Sequence, residues 1–211
     1  MNKKLFLVTA IIATLLAVTP AWPALIINGG FETGTDPGGS FVPLGAGSTD
    51  LTGWTIKGSI DWIGTYWPAF EGNRSIDLAG NGDGRISQTF ATVVGTPYHV
   101  SFAMAGNPDG GGVDPIKQLV AWVGSDARVF SFDTTGKTRE TKEAMGWVTQ
   151  WFDFTASSDT TTINFQSLML GSPIGPAIDS MTVAAVPIPA AAWLLGSGLI
   201  GLAVIRRRLD K

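Results

Sequence analysis

From residue 25 to residue 185 the chain consists of short segments in which apolar and polar residues alternate, separated by clusters of glycine, asparagine and aspartate. A period of two is typical of a β-strand that buries one face only. The segment 98–104 is the clearest example, because every second residue from Tyr98 to Met104 is large and apolar. No long window shows the 3.6-residue period of a helix, so this feature predicts an all-β body.

Further alternating segments indicate how many strands to expect. Turn-forming clusters at 80–84, 106–112 and 134–136 separate them. About nine or ten short strands predict a β-sandwich, and a jelly roll is the arrangement that we expect. Besides 98–104, the segments that we predict as strands are 85–90, 118–123, 128–132, 148–154, 160–165 and 177–183.

The charge of this body narrows the choice of partners. The chain has 211 residues and no cysteine, so disulfides, a thiol nucleophile and a cysteine-ligated metal are excluded. Residues 25–185, one domain's worth of chain, contain eight basic and sixteen acidic residues, a net charge of −8. An acidic body repels nucleic acid and anionic membrane surfaces. It is compatible with neutral glycans and with cations.

The N-terminal end, residues 1–24, has the parts of a secretory signal peptide. A short basic start is followed by an uncharged apolar run and then by small residues at Ala21 and Ala24. Cleavage after either alanine fits the pattern. The alternative is an uncleaved N-terminal anchor, although the apolar run is short for a membrane span.

The C-terminal end, residues 186–211, holds an uncharged apolar run that is closed by arginines. Its helix would reach across a bilayer only with the residues that precede Ala190. The arginines would then stay on the cytoplasmic side, which places the body outside the inner membrane.

The order of residues in this tail closely resembles the PEP-CTERM sorting segment of Gram-negative bacteria. Val-Pro-x-Pro is followed by Ala-Ala-x-Trp-Leu, by Gly-Ser-Gly-Leu-x-Gly-Leu and by an arginine-rich end, although Ile188 stands where glutamate is usual. The resemblance implies a transmembrane sorting helix, transient inner-membrane anchoring, processing by an exosortase and an association with exopolysaccharide and biofilm. The alternative is a plain membrane anchor. The residues that carry the signal are Pro187, Pro189, Arg206, Arg207 and Arg208.

The motifs of the body are similar to those of the bacterial choice-of-anchor C domain. More distantly, they resemble plant cell-wall proteins and carbohydrate-binding modules that have a galactose-binding-like jelly roll. The resemblance implies architecture more than activity. The motifs that carry it are the segments 28–32, 53–54, 71–78, 86–90, 102–108, 145–147 and 175–179.

An aromatic segment near the middle of the body is the candidate ligand site. Residues 62–68 place three large aromatic residues in or beside a loop that contains glycine and proline, and polar residues follow. Aromatic rings pack on the C–H face of a sugar, and binding residues are concentrated in loops on a rigid scaffold. The alternative is that these rings close the end of the core. The predicted carbohydrate site consists of Trp62, Tyr66, Trp67, Glu71, Asn73 and Arg74.

A structural calcium ion is implied by the resemblance to jelly-roll carbohydrate-binding modules. In modules of that kind an N-terminal Phe-Glu and an aspartate of the last strand meet at one ion, and Glu32 and Asp179 match these positions. Calcium prefers carboxylate and carbonyl oxygens. The alternative is that the two carboxylates accept hydrogen bonds from loop backbone without an ion.

Catalysis is the function that these residues support least. His99 is the only histidine and has no nucleophile motif with it. A glycosidase needs two carboxylates, and Glu71 and Asp77 are the pair that we would select. We expect a non-catalytic protein that binds envelope or extracellular polysaccharide. A structural role in the matrix is the second hypothesis, and a glycan hydrolase is the third.

Overall fold

The computed structural model describes residues 25–35, 38–110 and 114–187. Within them the chain forms ten β-strands and two single-turn 3-10 helices, Pro108–Gly110 and Arg139–Thr141. The predicted signal peptide and nearly all of the predicted sorting tail lie outside these residues. No helix in the described ranges is long and apolar enough to cross a bilayer. The strands are β1 (Phe41–Gly45), β2 (Thr55–Ile63), β3 (Ser75–Asp77), β4 (Gly84–Ala91), β5 (Pro97–Gly106), β6 (Ile116–Val123), β7 (Asp126–Asp133), β8 (Val148–Thr155), β9 (Thr160–Ser167) and β10 (Pro176–Ala185).

The strands form two antiparallel sheets that share β2. The first sheet has the order β1-β2-β3-β10-β5-β8, and the second has the order β2-β4-β9-β6-β7. Residues 55–58 of β2 pair with β4, whereas residues 59–63 pair with β1. Gly58 lies at this change of partner with a φ of +75°, and a Cβ there would be 1.9 Å from the carbonyl oxygen of Asp83. A glycine therefore lets β2 pass from one sheet to the other.

The two sheets face each other across one apolar core. Phe102 of the first sheet has no exposed surface. Its ring centroid lies 5.1 Å from that of Phe130 and 5.0 Å from that of Phe165, both of which belong to the second sheet. Edge-to-face packing of this kind is the favoured geometry for aromatic pairs. The prediction of an all-β, jelly-roll-like sandwich is therefore confirmed.

The period-two pattern located seven of the ten strands. All seven segments that we predicted as strands lie inside observed strands. The three strands that were not predicted are β1, β2 and β3. β1 contains Pro43, β2 is interrupted by Gly58, and β3 has only three residues. These three strands are neighbours in the first sheet, which is where the candidate site lies.

Candidate functional site

The outer face of the first sheet carries a row of side chains that point away from the core. Asp61 of β2 lies in register with Pro43 of β1 on one side and with Asp77 of β3 on the other. Ala177 and Ala105 continue the row across β10 and β5. The segment that joins β2 to β3 folds back over part of this face and leaves a cleft beside it.

The cleft has a volume of about 250 Å³ and an aromatic wall. The Tyr66 hydroxyl donates a hydrogen bond to Oδ2 of Asp109 (2.6 Å), and Trp67 Nε1 donates one to Ser75 Oγ (3.0 Å). These bonds hold the two rings against the sheet. The ring of Phe41, which is 43% exposed, packs edge-to-face against Tyr66 with the ring centroids 5.4 Å apart. The lining residues are Phe41, Pro43, Asp61, Ile63, Tyr66, Trp67, Gly80, Asn81, Asn107, Asp109, Pro173 and Ile174.

Two carboxylates of the cleft have oxygen atoms without a donor among the described residues. Asp61 is partly buried and accepts no hydrogen bond there. Oδ1 of Asp109 is buried and also lacks a partner. A buried acceptor without a donor costs about 1–3 kcal/mol. Such atoms indicate a place where a ligand or water supplies the donor.

Burial controls the ionisation of the acids in this region. It raises the pKa of Asp61 to about 6. It also raises the pKa of Asp77 to about 7, although hydrogen bonds from Asn107 Nδ2 (2.7 Å) and the Ala79 amide (2.9 Å) oppose the rise. Asp77 has no exposed surface and is held by protein donors, so Asp61 is the carboxylate that a ligand can reach. No lysine or arginine lines the cleft.

The six residues of the predicted carbohydrate site do not form one surface. Tyr66 and Trp67 line the cleft, but Tyr66 is only 8% exposed, and its ring also contacts the Lys142 ammonium at 4.4 Å. Trp62 is 1% exposed, and its Nε1 donates a hydrogen bond to the Phe31 carbonyl (2.9 Å). It is a core residue because the pleat of β2 turns it inward, and it does not face a ligand.

The polar members of that predicted site lie on the far side of the connecting segment. Asn73 lines a separate hollow of about 300 Å³ together with Trp67 and Glu143. Glu71 is exposed and accepts a hydrogen bond from Ser180 Oγ. Arg74, half-buried, follows at the end of the segment. These side chains do not line the cleft that contains Asp61.

The two predicted calcium ligands converge on the backbone of the same segment. Oε1 of Glu32 accepts hydrogen bonds from the Asn73 and Arg74 amides, both at 2.8 Å. Oδ2 of Asp179 accepts them from the Phe70 and Glu71 amides, at 2.8 and 3.1 Å. Convergence of the two carboxylates was expected, and the backbone clamp is the arrangement that we considered as the alternative to an ion.

The charges and oxygen ligands near Glu32 and Asp179 decide whether a cation fits between these carboxylates. Burial raises the pKa of Asp179 to about 6, and the charge of Glu32 adds to the rise. Repulsion between two nearby acids is what a cation would relieve. However, no group of three or more histidine, aspartate or glutamate side chains in the described part of the chain is placed to hold a metal. An ion would need backbone carbonyls as further ligands, and calcium stays a prediction.

Residues considered for catalysis are placed apart from one another. His99 lies on the outer face of the first sheet, where its Nδ1 is 2.6 Å from Oδ1 of Asp153. Its ring centroid is 5.5 Å from that of Trp151, which is 60% exposed. Of the carboxylate pair that we selected, Asp77 has no exposed surface and Glu71 is exposed on the connecting segment.

Sequence reasoning missed ten of the twelve residues that line the cleft, among them Asp61, Asn107, Asp109 and Phe41. Asp61 lies in an alternating strand beside Trp62, and the alternation alone assigns them to opposite faces. Asn107 and Asp109 follow β5 in a turn, where polar residues are ordinary and carry no signal. Phe41 belongs to a strand that the pattern did not reveal.

These features define a β-sandwich protein with an acidic, aromatic-walled cleft on the outer face of one sheet. A family model described as "Protein of unknown function (DUF642)" matches residues 24–184. The chain therefore belongs to the DUF642 family.

Two kinds of relatives accompany this family match. Halomucin of Haloquadratum walsbyi is 28% identical over 179 residues, which are 82% of this chain but only 2% of halomucin. Among solved structures, the chain is similar to TmCBM61 in complex with β-1,4-galactotriose, with a TM-score of 0.48, 16% identity, and coverage of 77% of this chain and 99% of that chain. It is also similar to a family 35 carbohydrate binding module from Clostridium thermocellum, with a TM-score of 0.47, 14% identity, and coverage of 69% and 99%. At these TM-scores the likenesses carry no argument about a ligand of this chain.

Proposed function

We propose that this chain is an exported, non-catalytic protein that binds a neutral polysaccharide in the cleft over the first sheet. The observation that carries the proposal is the Asp61 carboxylate, which accepts no hydrogen bond from the described residues and lines a cleft with aromatic walls. Sugar hydroxyls supply the donor that this carboxylate lacks. The exposed ring of Phe41 offers a surface for the C–H face of a sugar.

The charge of the cleft favours a neutral ligand over an acidic one. Two carboxylates and no cationic side chain line it, and the body that surrounds it carries a net charge of −8. A uronate or a sulfated sugar would bring a like charge next to Asp61, which is unfavourable. A neutral sugar avoids this repulsion and still donates its hydroxyls.

Export and surface sorting complete the proposal. Residues 1–24 act as a signal peptide, and residues 186–211 anchor the chain in the inner membrane until an exosortase processes it. The body then remains at the cell surface or in the extracellular matrix of a Gram-negative bacterium. A structural Ca²⁺ held by Glu32 and Asp179 would tie the connecting segment to the sandwich. The support for export is the order of residues at the two ends.

A structural or protein-interaction role is the alternative function. It is favoured by exposed apolar side chains, because Trp151 of β8 is 60% exposed and Phe70 of the segment that joins β2 to β3 is 48% exposed. Apolar side chains of this size at the surface are typical of contacts with another protein. A glycan hydrolase is the third hypothesis, and it requires turnover that a Glu71→Gln variant loses.

Affinity electrophoresis of the full chain through gels that contain neutral polysaccharides tests the proposed function. Retardation by at least one polymer is expected, and it should be weakened by Asp61→Asn and by Phe41→Ala. Asp159→Asn is the matched control, because Asp159 is an exposed acid far from the cleft in the loop between β8 and β9. Parallel gels with calcium and with EDTA show whether binding needs the ion.

The outcomes separate the hypotheses. Retardation that both cleft variants lose and the control keeps supports the cleft as the binding site. Absence of retardation by every polymer, from a chain whose near-ultraviolet circular dichroism shows a folded core, would reject glycan binding. Self-association measured by light scattering in that case would favour the structural role.

A further inference from the structure

The outer face of the second sheet has a charge balance opposite to that of the rest of the body. The alternation of β2, β4, β9, β6 and β7 directs every second residue away from the core. Only one acid lies among these outward residues, whereas the body has twice as many acids as bases. The outward residues are Thr55, Lys57, Arg85, Ser87, Thr89, Ala91, Thr160, Thr162, Asn164, Gln166, Gln118, Val120, Trp122, Ala127, Val129, Ser131 and Asp133.

Two cations stand directly opposite each other on this face. Lys57 of β2 and Arg85 of β4 are cross-strand partners. Like charges in this relation destabilise a sheet. No carboxylate of the described residues lies within ion-pair distance of either side chain. The Nε atom of Arg85 is buried and donates to no acceptor among the described residues.

An aromatic platform adjoins the two cations. The guanidinium carbon of Arg85 lies 5.7 Å from the ring centroid of Trp122, a distance at which a cation–π interaction attracts the arginine to the ring. Trp122 is itself paired with Asn164, and Gln166 is paired with Arg85. The platform therefore combines one indole ring, two cations and two amides.

A groove extends this surface along β9. It has a volume of about 480 Å³ and begins at Trp122 and Asn164. Hydroxyl side chains dominate the remainder, and Asp126 is its one charged residue. Hydroxyl and amide groups bind sugars by donating and accepting hydrogen bonds. The other members of the groove are Val123, Gly124, Ser125, Thr155, Ser157, Thr160, Thr161 and Thr162.

We propose that the outer face of the second sheet is a second glycan site, which binds a carboxylated polysaccharide. Arg85 and Lys57 bind the carboxylates, Trp122 packs on a sugar ring, and the groove holds the chain beyond it. Planar guanidinium groups match carboxylates well. The proposal does not depend on the cleft, which lies on the other sheet. Nucleic acid also carries negative charge, but a body with a net charge of −8 disfavours a long polyanion of such high charge density.

A pair of polymers with the same backbone tests this site. Carboxymethyl cellulose and hydroxyethyl cellulose differ in charge, and affinity electrophoresis of the full chain measures binding to each. The wild type should be retarded more by the carboxymethyl polymer, and this preference should shrink as salt rises. Arg85→Gln should weaken binding to it about tenfold, since a charge-assisted hydrogen bond is lost.

Matched variants make the result specific. Arg128→Gln removes the same charge from β7, where Arg128 is paired with Ala121 and points to the opposite face. It should leave the preference unchanged. Trp122→Ala should weaken binding to the carboxymethyl polymer.

Three results would overturn the proposal. Equal retardation of the wild type by the two celluloses means that the face does not recognise carboxylates. An equal loss in Arg85→Gln and Arg128→Gln means that net charge, and not this face, controls binding. Competition by single-stranded DNA at lower concentration than carboxymethyl cellulose, with the same dependence on Arg85, would assign the face to nucleic acid instead. If only Asp61→Asn loses neutral-glycan binding, that result tests the cleft of the first sheet and leaves the proposal for the second sheet unaffected.

Discussion

Replacing Asp61 with asparagine should stabilise the protein at neutral pH and weaken the binding of a ligand in the cleft. Asp61 is a partly buried carboxylate without a donor among the described residues. Burial raises its pKa from 3.8 to about 6. The ionised side chain is therefore less favourable in the folded protein than in the unfolded chain. Binding sites commonly lower stability in this way.

The raised pKa of Asp61 determines how its contribution to the free energy of unfolding changes with pH. Below about pH 3 the carboxyl is protonated in both states, so it costs nothing on folding. As the pH rises from about 3 to about 7, the unfolded chain ionises first and the free energy of unfolding falls. The difference of about two between the pKa values corresponds to at most about 3 kcal/mol above about pH 7, and solvent screening at this partly exposed side chain reduces that figure. The charge of Asp61 also raises the pKa of Asp77. Removing the charge of Asp61 therefore makes an ionised Asp77 less unfavourable, which also stabilises the folded protein at neutral pH.

Urea unfolding of the full chain, followed by tryptophan fluorescence, measures this effect. At about pH 7.5 Asp61→Asn should raise the free energy of unfolding by up to about 3 kcal/mol, and near pH 3 the variant and the wild type should agree. The melting temperature at neutral pH should rise by roughly 2–4 °C for each kcal/mol. Asp159→Asn removes the same charge at an exposed position and controls for net charge. A variant that is destabilised, or equally stabilised at both pH values, would refute the reasoning.

Three further changes probe the connecting segment and the core. Gly72 has a φ of +67°, and a Cβ there would lie 2.3 Å from Oε1 of Glu32; Gly72→Ala should cost about 1–3 kcal/mol and speed proteolysis of the segment. Phe102→Ala should lower the free energy of unfolding by about 3–5 kcal/mol in urea titrations, and a loss below 1 kcal/mol would contradict the packing described. Millimolar calcium should raise the melting temperature, and Glu32→Gln should abolish that rise. Unchanged melting with calcium and EDTA would leave Glu32 and Asp179 as a hydrogen-bonding clamp only.

The strands of the core were predictable because burial of one face leaves a local signal. Every second residue of β5 is apolar, and the same holds for Phe152 and Phe154 of β8, so neighbouring residues reveal the inner face. Trp151 immediately precedes Phe152 and is exposed, as its position requires. Local alternation was sufficient for this part of the fold, since it depends only on residues that are adjacent in the chain.

The cleft was only partly predictable, because its parts are distant in sequence. Tyr66 and Trp67 were recognised as aromatic residues in a loop, but the acids that they face come from β2 and from the turn after β5. Asp109 meets Tyr66 across 43 positions of the chain. Trp62 was assigned to the ligand surface because its loop context dominated the interpretation, although the pleat of β2 turns it inward.

Composition and periodicity in this chain establish an all-β body, its acidity and the signals at its two ends, since each of these depends on short stretches of residues. The pairing of strands was decided by tertiary structure, because which strands become neighbours depends on long-range hydrogen bonds and on packing of the whole core. That pairing places Asp61 beside Asp77, sets Lys57 opposite Arg85, and brings Glu32 and Asp179 to one loop. The charge of a site and its hydrogen-bond acceptors depend on such neighbours. These neighbours are distant in sequence, so a local sequence pattern does not reveal them.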